Sequence, residues 1–166
     1  MANCLVTGHK GYIGSKLFDK LQQFGHSVYG IDIKSKDVNE KLDIRWHLFD
    51  RNKNTTHLKF KPDYIFHLAA KPSVQWSVEN PSESLANNVM GSSKVLEYAN
   101  LVGAKRVIFA SSAAANAPTS PYGAHKRMTE LECKIYASLY DIDTVCLRYF
   151  NVYSEDQKYG GPYSTV

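Results

Sequence analysis

The sequence predicts an α/β domain in which helices cover both faces of a doubly wound parallel sheet. Strand-like apolar runs recur at 3–7, 27–32, 44–49, 63–68, 106–110 and 144–149, with helical patterns or loops between them. The run at 63–68 is almost continuously apolar, as a strand covered on both faces should be. A glycine-rich turn separates the first run from the first helical pattern, as in the opening unit of such sheets.

Length and composition indicate one domain and exclude several classes of partner. A chain of 166 residues buries about 70% of the surface that its unfolded form exposes, enough for one core. The formal net charge is +4, and no basic block suggests a nucleic-acid partner. No apolar run approaches the roughly 18 residues of a membrane helix. The three cysteines form no C-x-x-C pair, and no signal peptide is evident, so we expect reduced thiols and a cytoplasmic location.

Two long helices are predicted in the second half of the chain. Residues 79–101 have apolar side chains at helical spacing, and Gly103 is placed to end this helix. A second helix is predicted from about Pro121 to Leu139. The connection from Asn52 to Pro62 is short and polar and has room for two helical turns at most.

The glycine turn predicts an anion site. Gly8, Gly11 and Gly14 lie between a strand and a helix, where the backbone can approach a pyrophosphate and free N–H groups point at it. Their G-x-x-G-x-x-G spacing is weak evidence alone, because a tight turn of any α/β domain can carry it. Asp32 ends the second strand-like run, where a carboxylate accepts hydrogen bonds from an adenosine ribose and repels a 2′-phosphate. Together these residues predict a dinucleotide site that prefers NAD to NADP.

A tyrosine and a lysine mark the start of the second long helix. Tyr122 and Lys126 are four residues apart and therefore share one helix face. An unperturbed tyrosine has a pKa of about 10, but a nearby ammonium and a cationic nicotinamide favour the phenolate. The same spacing is common on helix surfaces, so its place after the fifth strand of a dinucleotide fold is what favours a catalytic base.

Two serines end the fifth strand-like run. Ser111 and Ser112 lie at the carboxyl end of a predicted parallel strand, which faces the ligand crevice in such folds. A hydroxyl there can donate to a substrate oxygen while Tyr122 removes its proton. The alternative is that both serines merely open a loop.

Taken together, the motifs resemble those of the extended short-chain dehydrogenase/reductase family, and within it the NAD-dependent epimerase/dehydratases of nucleotide sugars. The resemblance spans almost the whole chain and follows one order. The matching motifs are Thr7-Gly8-x-x-Gly11-x-x-Gly14, Asp32, Asp50, His67-Leu68-Ala69-Ala70, Asn88-Val89-x-Gly91, Ser111-Ser112, Tyr122-x-x-x-Lys126 and Arg148-Tyr149-Phe150-Asn151-Val152-Tyr153.

The resemblance implies a role for each matching residue, and it implies no metal. The residues implied at the pyrophosphate are Gly8, Gly11, Tyr12, Ile13 and Gly14. The residues implied elsewhere along NAD are Asp32 at the adenosine ribose, Asp50 at the adenine, Leu68, Ala69, Ala70 and Asn88 along the cofactor, and Tyr122 and Lys126 at the nicotinamide end. The implied catalytic residues are Ser112, Tyr122 and Lys126. The residues implied at the substrate are Ser111, Ser112 and, at its phosphates, Asn151.

Some positions depart from the family pattern. Four-six dehydratases carry Asp-Glu after the catalytic hydroxyl residue, and the related decarboxylases keep the Glu. This chain has Ala113 and Ala114 there, so no acid is available to eliminate water. The loop from Ser112 to Tyr122 is shorter than usual, and His125 replaces a small residue. We expect His125 to be a packing or surface residue.

These observations predict an epimerase of the UDP-glucose 4-epimerase type, with Tyr122 as base and hydride transfer between sugar C4 and bound NAD. A reductase of a small carbonyl compound and a non-catalytic NAD-binding module are the alternatives. Because family members continue into a substrate domain, we expect residues 1–150 to be the NAD-binding Rossmann domain and residues 151–166 to begin a largely missing substrate-binding region.

The resemblance also implies a homodimer in which helices 79–101 and 121–139 pair with their two-fold mates. The apolar residues expected to be exposed on these helices are Leu96, Met128, Tyr136 and Leu139.

Overall fold

The computed structural model describes residues 1–35, 49–50, 55–56 and 60–155, with the two short pairs described by their backbone alone. The strands are β1 (Asn3–Thr7), β2 (Ser27–Ile31), β3 (Phe49–Asp50), β4 (Thr55–Thr56), β5 (Tyr64–His67), β6 (Arg106–Ser112) and β7 (Asp143–Tyr149). The helices are α1 (Tyr12–Gln23), α2 (Val74–Glu79), α3 (Pro81–Leu85), α4 (Gly91–Val102) and α5 (Pro121–Leu139), with a π-helical turn at Ala86–Met90 and a 3-10 turn at Ala113–Ala115.

Five parallel strands form the main sheet in the order β2-β1-β5-β6-β7. α1 contacts β1 and β2, whereas α4 and α5 contact each other and the strands β5, β6 and β7. The right-handed rule for parallel crossovers puts α1 on one face and α4 and α5 on the other, in agreement with the predicted doubly wound sheet. The strand order reverses between β1 and β5, and this is where such sheets open a ligand crevice at their carboxyl ends. Thr7 is in register with Ile31 on one side and with His67 on the other, so the crevice-forming ends are level.

The core lies between the sheet and the helices that cover it. Its buried members come from both layers: Leu5, Ile31, Ile65, Val95, Leu96, Tyr98, Ala99, Ala104, Val107, Phe109, Cys133 and Ile142. Among the side chains that the structure describes, Tyr98 is the largest that is fully buried, and its hydroxyl donates to the Phe60 carbonyl at 2.7 Å. This bond offsets the cost of burying a phenol oxygen, and the same burial raises the Tyr98 pKa to about 12.

The helix predicted over 79–101 is present with two differences. It begins at Pro81 and ends at Val102, where Gly103 adopts the left-handed conformation with φ +70°. A π-helical turn interrupts it between α3 and α4. A π-helical turn contains about one residue more than an α-helical turn, and the 3.6-residue spacing of the apolar side chains does not predict it. The preceding helix α2 was not predicted, although Ser73 caps it by accepting from the Trp76 N–H at 3.1 Å.

The helix predicted over 121–139 is confirmed at both ends. Ser120 caps it by accepting from the Gly123 N–H at 3.2 Å, and Pro121 occupies its first position, where no donor is lost. The expectation that Leu96 is exposed is wrong, because α4 directs it into the core and leaves it 1% exposed. Met128 and Leu139 are exposed as expected, and Tyr136 is half-buried against the core.

Two predicted segments fall mainly outside the described residues. Of the strand predicted over 44–49, the structure describes only Phe49, which pairs antiparallel with β4 in a separate two-stranded sheet. Most of the connection from Asn52 to Pro62 and all of residues 156–166 also lie outside them. Within the part of the chain that is described, no helix is long and apolar enough to cross a membrane.

Candidate functional site

The glycine turn packs so tightly against its neighbours that two of its positions exclude any side chain. Gly8 has φ +75°, and a Cβ atom there would lie 2.8 Å from the Ala69 nitrogen. A Cβ atom on Gly14 would lie 2.2 Å from the Gly8 carbonyl oxygen. The turn is closed by the Gly11 N–H, which donates to that same oxygen at 2.9 Å. The sequence pattern therefore reflects a close approach of α1 to the end of β1.

The start of α1 fits an anion such as a pyrophosphate. Gly11 is its N-cap, and no side chain among the residues described caps the helix. Tyr12 and Ile13 open the first turn, whose N–H groups point out of the helix and carry the positive end of its dipole. Tyr12 is partly exposed, and its hydroxyl is hydrogen-bonded to Ser154 beyond the end of β7.

Asp32 lies directly after β2 and is held by two backbone donors. Its Oδ2 accepts from the Lys10 N–H at 3.1 Å, and its Oδ1 accepts from the Lys34 N–H at 2.8 Å. The first bond ties the carboxylate to the glycine turn. Because each carboxylate oxygen accepts more than one hydrogen bond, both retain capacity for a ribose diol.

The remaining cofactor candidates follow β3 and β5. Asp50 ends β3, but its side chain lies outside the described residues. Leu68, Ala69 and Ala70 continue from β5 and are half-buried. Asn88, which is 1% exposed, fixes the next peptide: its Oδ1 accepts from the Lys71 N–H at 2.8 Å, and its Nδ2 donates to the Lys71 carbonyl at 3.1 Å. Both polar atoms of the Asn88 amide are therefore bonded to the Lys71 backbone.

Tyr122 and Lys126 lie together on the buried face of α5. The Lys126 Nζ donates to the Ala110 carbonyl at 2.7 Å and lies 5.8 Å from the centre of the Tyr122 ring. Burial lowers the Lys126 pKa to about 8, so the ammonium is the major form at pH 7. The Tyr122 backbone N–H donates to Ser77 Oγ at 3.1 Å, which holds the first turn of α5 against α2. A positive charge beside a phenol favours the phenolate.

The two serines of β6 have different surroundings. Ser112 is half-buried and accepts from the Ala114 N–H at 3.2 Å, a role that leaves its hydroxyl proton for another acceptor. Ser111 is buried, and its hydroxyl donates to Glu130 Oε1 at 2.6 Å. The alternation of side chains along a strand places these neighbours on opposite faces. Of the two, Ser112 is therefore the better candidate to meet a substrate.

Glu130 is a residue of this region that the sequence motifs do not single out. It receives hydrogen bonds from Ser111, from Arg148 Nε and Nη2 at 2.8 and 2.7 Å, and from Arg127 Nη1 at 3.0 Å. Led by the bonds from Arg148, these contacts lower the Glu130 pKa to about 2. The sequence did contain a signal for Glu130: it lies four residues after Lys126 and therefore shares the same face of the helix.

The other predicted positions lie at the margins of this region. Asn151 follows β7 and is exposed. His125 is a buried packing residue, as expected, with its Nδ1 hydrogen-bonded to Ser84 Oγ at 3.0 Å, and burial lowers its pKa. No group of three or more metal-ligating side chains occurs in the stretches that the structure covers.

Comparison with known proteins identifies the family. The NAD dependent epimerase/dehydratase family matches residues 4–165. A UDP-glucose 4-epimerase of Mycolicibacterium smegmatis is 33% identical over 92% of this chain and 57% of its own length. A UDP-N-acetyl-alpha-D-glucosaminuronate decarboxylase of Bacillus cytotoxicus is 34% identical over 98% of this chain and 58% of its own. The crystal structure of Thermus thermophilus UDP-glucose 4-epimerase in complex with NAD superposes with a TM-score of 0.82 at 28% identity, over 97% of this chain and 59% of that one.

The matches extend over nearly all of this chain, which spans somewhat under three fifths of the length of these curated relatives. They confirm the predicted fold and the predicted family, whose description names NAD as the cofactor. The two curated relatives differ in reaction type, one being named an epimerase and the other a decarboxylase, and both names give a UDP-sugar. The chain belongs to the NAD-dependent epimerase/dehydratase family.

Proposed function

We propose that this chain is the NAD-binding part of a nucleotide-sugar 4-epimerase of the UDP-glucose type. The observation that supports this most directly is the buried Tyr122–Lys126 pair, with the Lys126 ammonium 5.8 Å from the phenol ring and Ser112 at the end of the adjoining strand. A base, its charge partner and a hydroxyl donor are what removal of a proton from a sugar hydroxyl requires.

Tyr122 acts as the base in this proposal. Its phenolate takes the proton from the sugar C4 hydroxyl, and the phenol later returns that proton to the 4-keto oxygen. Lys126 lowers the cost of the phenolate through its charge, which the Ala110 carbonyl holds in place. Ser112 donates a hydrogen bond to the reacting oxygen and keeps its own proton. NAD, when bound, supplies hydride acceptance and return at C4 and is therefore not consumed.

The residues at the other end of the crevice hold the cofactor. The turn of Gly8, Gly11 and Gly14 and the first N–H groups of α1 bind the pyrophosphate. Asp32, fixed by two backbone N–H groups, accepts hydrogen bonds from the adenosine ribose. The remaining contacts proposed from the family resemblance are those of Tyr12, Ile13, Asp50, Leu68, Ala69, Ala70 and Asn88.

The residues after Ser112 argue against elimination chemistry. Ala113 and Ala114 form the 3-10 turn that follows β6, and neither carries an acid. Decarboxylases and dehydratases of the resembled family place carboxylates there. Besides NAD, epimerisation needs a base and a hydroxyl donor and no further acid, so we favour epimerisation over the chemistry of the decarboxylase relative.

The substrate-binding part of the proposal extends past the described residues. We propose that residues 1–150 form the NAD-binding unit and that residues 151–166 begin the substrate-binding region, with Asn151 at the substrate phosphates. Remote binding energy from the nucleotide orients a sugar at the reacting carbon. Because the chain spans under three fifths of its curated relatives, we expect the 166-residue chain alone to bind NAD and to turn over UDP-sugars slowly.

We also propose a homodimer that pairs α4 and α5 with their two-fold mates. Met128, Leu131, Ile135 and Leu139 are exposed and follow one another at intervals of three or four residues along α5. That spacing places them on one helix face, and a contiguous apolar face of this kind is typical of an interface.

The proposed reaction is tested by incubating the chain with NAD and UDP-galactose and following the sugar by NMR. Conversion to UDP-glucose without net NADH is the expected result. Net NADH formation would instead favour the NAD-dependent reductase of a small carbonyl compound, acting here in the oxidative direction. Binding of NAD with neither activity would contradict the epimerase proposal and favour the non-catalytic module.

A further inference from the structure

A chain of hydrogen bonds crosses the interior between β1 and the π-helical turn. The Ala69 N–H donates to Thr7 Oγ1 at 3.1 Å, and that hydroxyl lies 2.7 Å from His67 Nδ1. His67 Nε2 lies 2.8 Å from Ser92 Oγ, which donates to the Asn88 carbonyl at 2.8 Å. Thr7, His67 and Ser92 are all buried, so each of these bonds replaces one that water would otherwise make.

The donors and acceptors in this chain fix the tautomer of His67. Ser92 gives its single hydroxyl proton to the Asn88 carbonyl, so it accepts from His67 Nε2–H. A neutral imidazole with its proton on Nε2 has an acceptor at Nδ1, to which Thr7 donates its hydroxyl proton. Every proton in the chain then points the same way, from Ala69 towards Asn88.

The surroundings keep His67 neutral. Its ring stacks on Phe109 at 5.7 Å between centroids, and Lys126 Nζ lies 4.6 Å from the Phe109 ring centre. Burial, with the Lys126 charge as a smaller cause, lowers the His67 pKa to about 3. A second buried cation next to Lys126 would cost far more than a neutral ring.

Both ends of the hydrogen-bond chain reach the proposed site. Ala69 is the residue whose nitrogen would lie 2.8 Å from a Cβ atom on Gly8, so its peptide packs against the glycine turn. The Asn88 carbonyl also lies 3.1 Å from Thr129 Oγ1, whose hydroxyl proton is shared with the His125 carbonyl at 3.1 Å, and Thr129 lies on α5 three residues after Lys126. His67 therefore links the pyrophosphate end of the crevice to the helix that carries Tyr122.

We propose that His67 is a positioning residue, a neutral imidazole that holds the Ala69 peptide at the glycine turn and the Asn88 carbonyl at α5 in one fixed arrangement for NAD. The role rests on the proposed function, because NAD is the ligand that the arrangement serves. His67 contacts no cofactor atom in this proposal and acts through Ala69 and Asn88.

The first test examines the hydrogen-bond chain through His67 directly and needs no ligand. Long-range 1H–15N NMR of the histidine side chains, assigned with a His67→Gln variant, should show His67 with its proton on Nε2 at pH 7 and no titration between pH 5 and 8. Backbone amide exchange at Ala69 should then become faster in Ser92→Ala than in the wild type. A proton on Nδ1, a titrating ring or unchanged exchange at Ala69 would overturn the proposal.

The second test measures NAD affinity by calorimetry with matched controls. Ser92→Ala and Thr7→Val each break one bond of the hydrogen-bond chain and should weaken NAD binding about 5- to 30-fold, the usual effect of leaving a buried partner unsatisfied. Ser93→Ala removes a hydroxyl one position away that donates to Glu132, and Thr144→Val removes one that donates to the Cys133 carbonyl. These two controls should change NAD affinity less than about twofold, by the same principle.

The outcomes distinguish failure of the proposed role of His67 from failure of the proposal that the chain binds NAD. A loss of thermal stability in Ser92→Ala with unchanged NAD affinity would show a merely structural bond and would overturn the positioning role. Failure of the wild-type chain to bind NAD would overturn the proposed function, whereas the tautomer and the Ala69 exchange would still decide whether His67 bridges the two elements.

Discussion

Arg148 forms a bidentate ion pair with Glu130, with Nε donating to Oε1 at 2.8 Å and Nη2 donating to Oε2 at 2.7 Å. The pair joins β7 to the middle of α5, and Ser111 adds the end of β6 to the same carboxylate. A third Arg148 nitrogen donates to Asn116 Oδ1 at 3.0 Å in the loop between Ser112 and Tyr122. This ion pair therefore fixes four segments around the proposed catalytic residues: β7, α5, the end of β6 and the loop that follows it.

The first prediction concerns the stability that Glu130 provides. Its pKa is about 2 in the folded chain against 4.5 ordinarily, so the carboxylate stabilises the fold above pH 4.5 and loses this effect as pH falls towards 2. Glu130→Gln should lower the free energy of unfolding by on the order of 3 kcal/mol at pH 7 and by much less near pH 2.5.

Urea unfolding at several pH values measures this effect. Glu97→Gln is the control, because Glu97 makes a partly exposed ion pair with Lys94 at 2.7 Å and its loss should cost less than about 1 kcal/mol. A Glu130→Gln effect that stays constant from pH 7 to pH 2.5 would show that charge is not its cause.

The second prediction concerns Tyr122 as the base. Tyr122→Phe should abolish UDP-sugar turnover, at least about 10²- to 10⁴-fold, because the ring still packs and only the proton-transferring oxygen is lost. NAD affinity, measured by calorimetry, should stay nearly unchanged. Tyr140→Phe, at the exposed end of the same helix, is the control and should keep full activity. Activity of Tyr122→Phe within a few-fold of the wild type would remove Tyr122 from the mechanism.

The third prediction concerns the choice between NAD and NADP. In the proposed site Asp32 lies at the adenosine ribose, where its carboxylate would meet a 2′-phosphate, and two like charges in contact near a surface cost on the order of 1–4 kcal/mol. The chain should bind NAD at least tenfold more tightly than NADP, and Asp32→Asn should reduce that ratio. Asp19→Asn on the exposed side of α1 makes the same change in net charge and should leave the ratio unchanged. Equal affinity for both cofactors in the wild type would show that Asp32 is misassigned.

The fourth prediction distinguishes a steric clash in the glycine turn from the backbone strain of replacing a glycine that has a positive φ angle. Gly14→Ala places a Cβ atom 2.2 Å from the Gly8 oxygen, which forces α1 away from the turn and should cost about 1–3 kcal/mol of stability and most of the NAD affinity. Gly25→Ala has φ +79° but open space around its Cβ atom, so it should cost about 1 kcal/mol from backbone strain and leave NAD binding unchanged. Calorimetry and thermal unfolding of both variants test this, and equal NAD affinity in the two would contradict it.

The fifth prediction concerns the dimer. Sedimentation at micromolar concentration should show a dimer for the wild type and a monomer for Ile135→Glu, which places a charge in the middle of the exposed face of α5. Lys134→Glu, at the neighbouring exposed position, is the control and should remain dimeric. A monomeric wild type would remove the proposed interface.

The sequence by itself was sufficient for the features that depend on local spacing. Strand-like runs separated by helical patterns predicted the parallel sheet, and the turn containing Gly8 and Gly14 was located from its place between a strand-like run and a helical pattern. Tyr122 and Lys126 were paired correctly on one helix face because four residues make about one turn. The family, and NAD as its cofactor, followed from the order of these motifs.

Only the tertiary structure decided which distant side chains are partners. Ser111 was expected at the substrate beside the catalytic Ser112, but strand alternation and the position of α5 give it Glu130 as an acceptor. Leu96 was expected on the surface, but the packing of α4 against β5, β6 and α5 places it in the core. His67 joins Thr7 and Ser92, which are 60 and 25 residues away in sequence. Such pairs depend on how strands and helices pack in three dimensions, and the spacing of residues along one element carries no record of that packing.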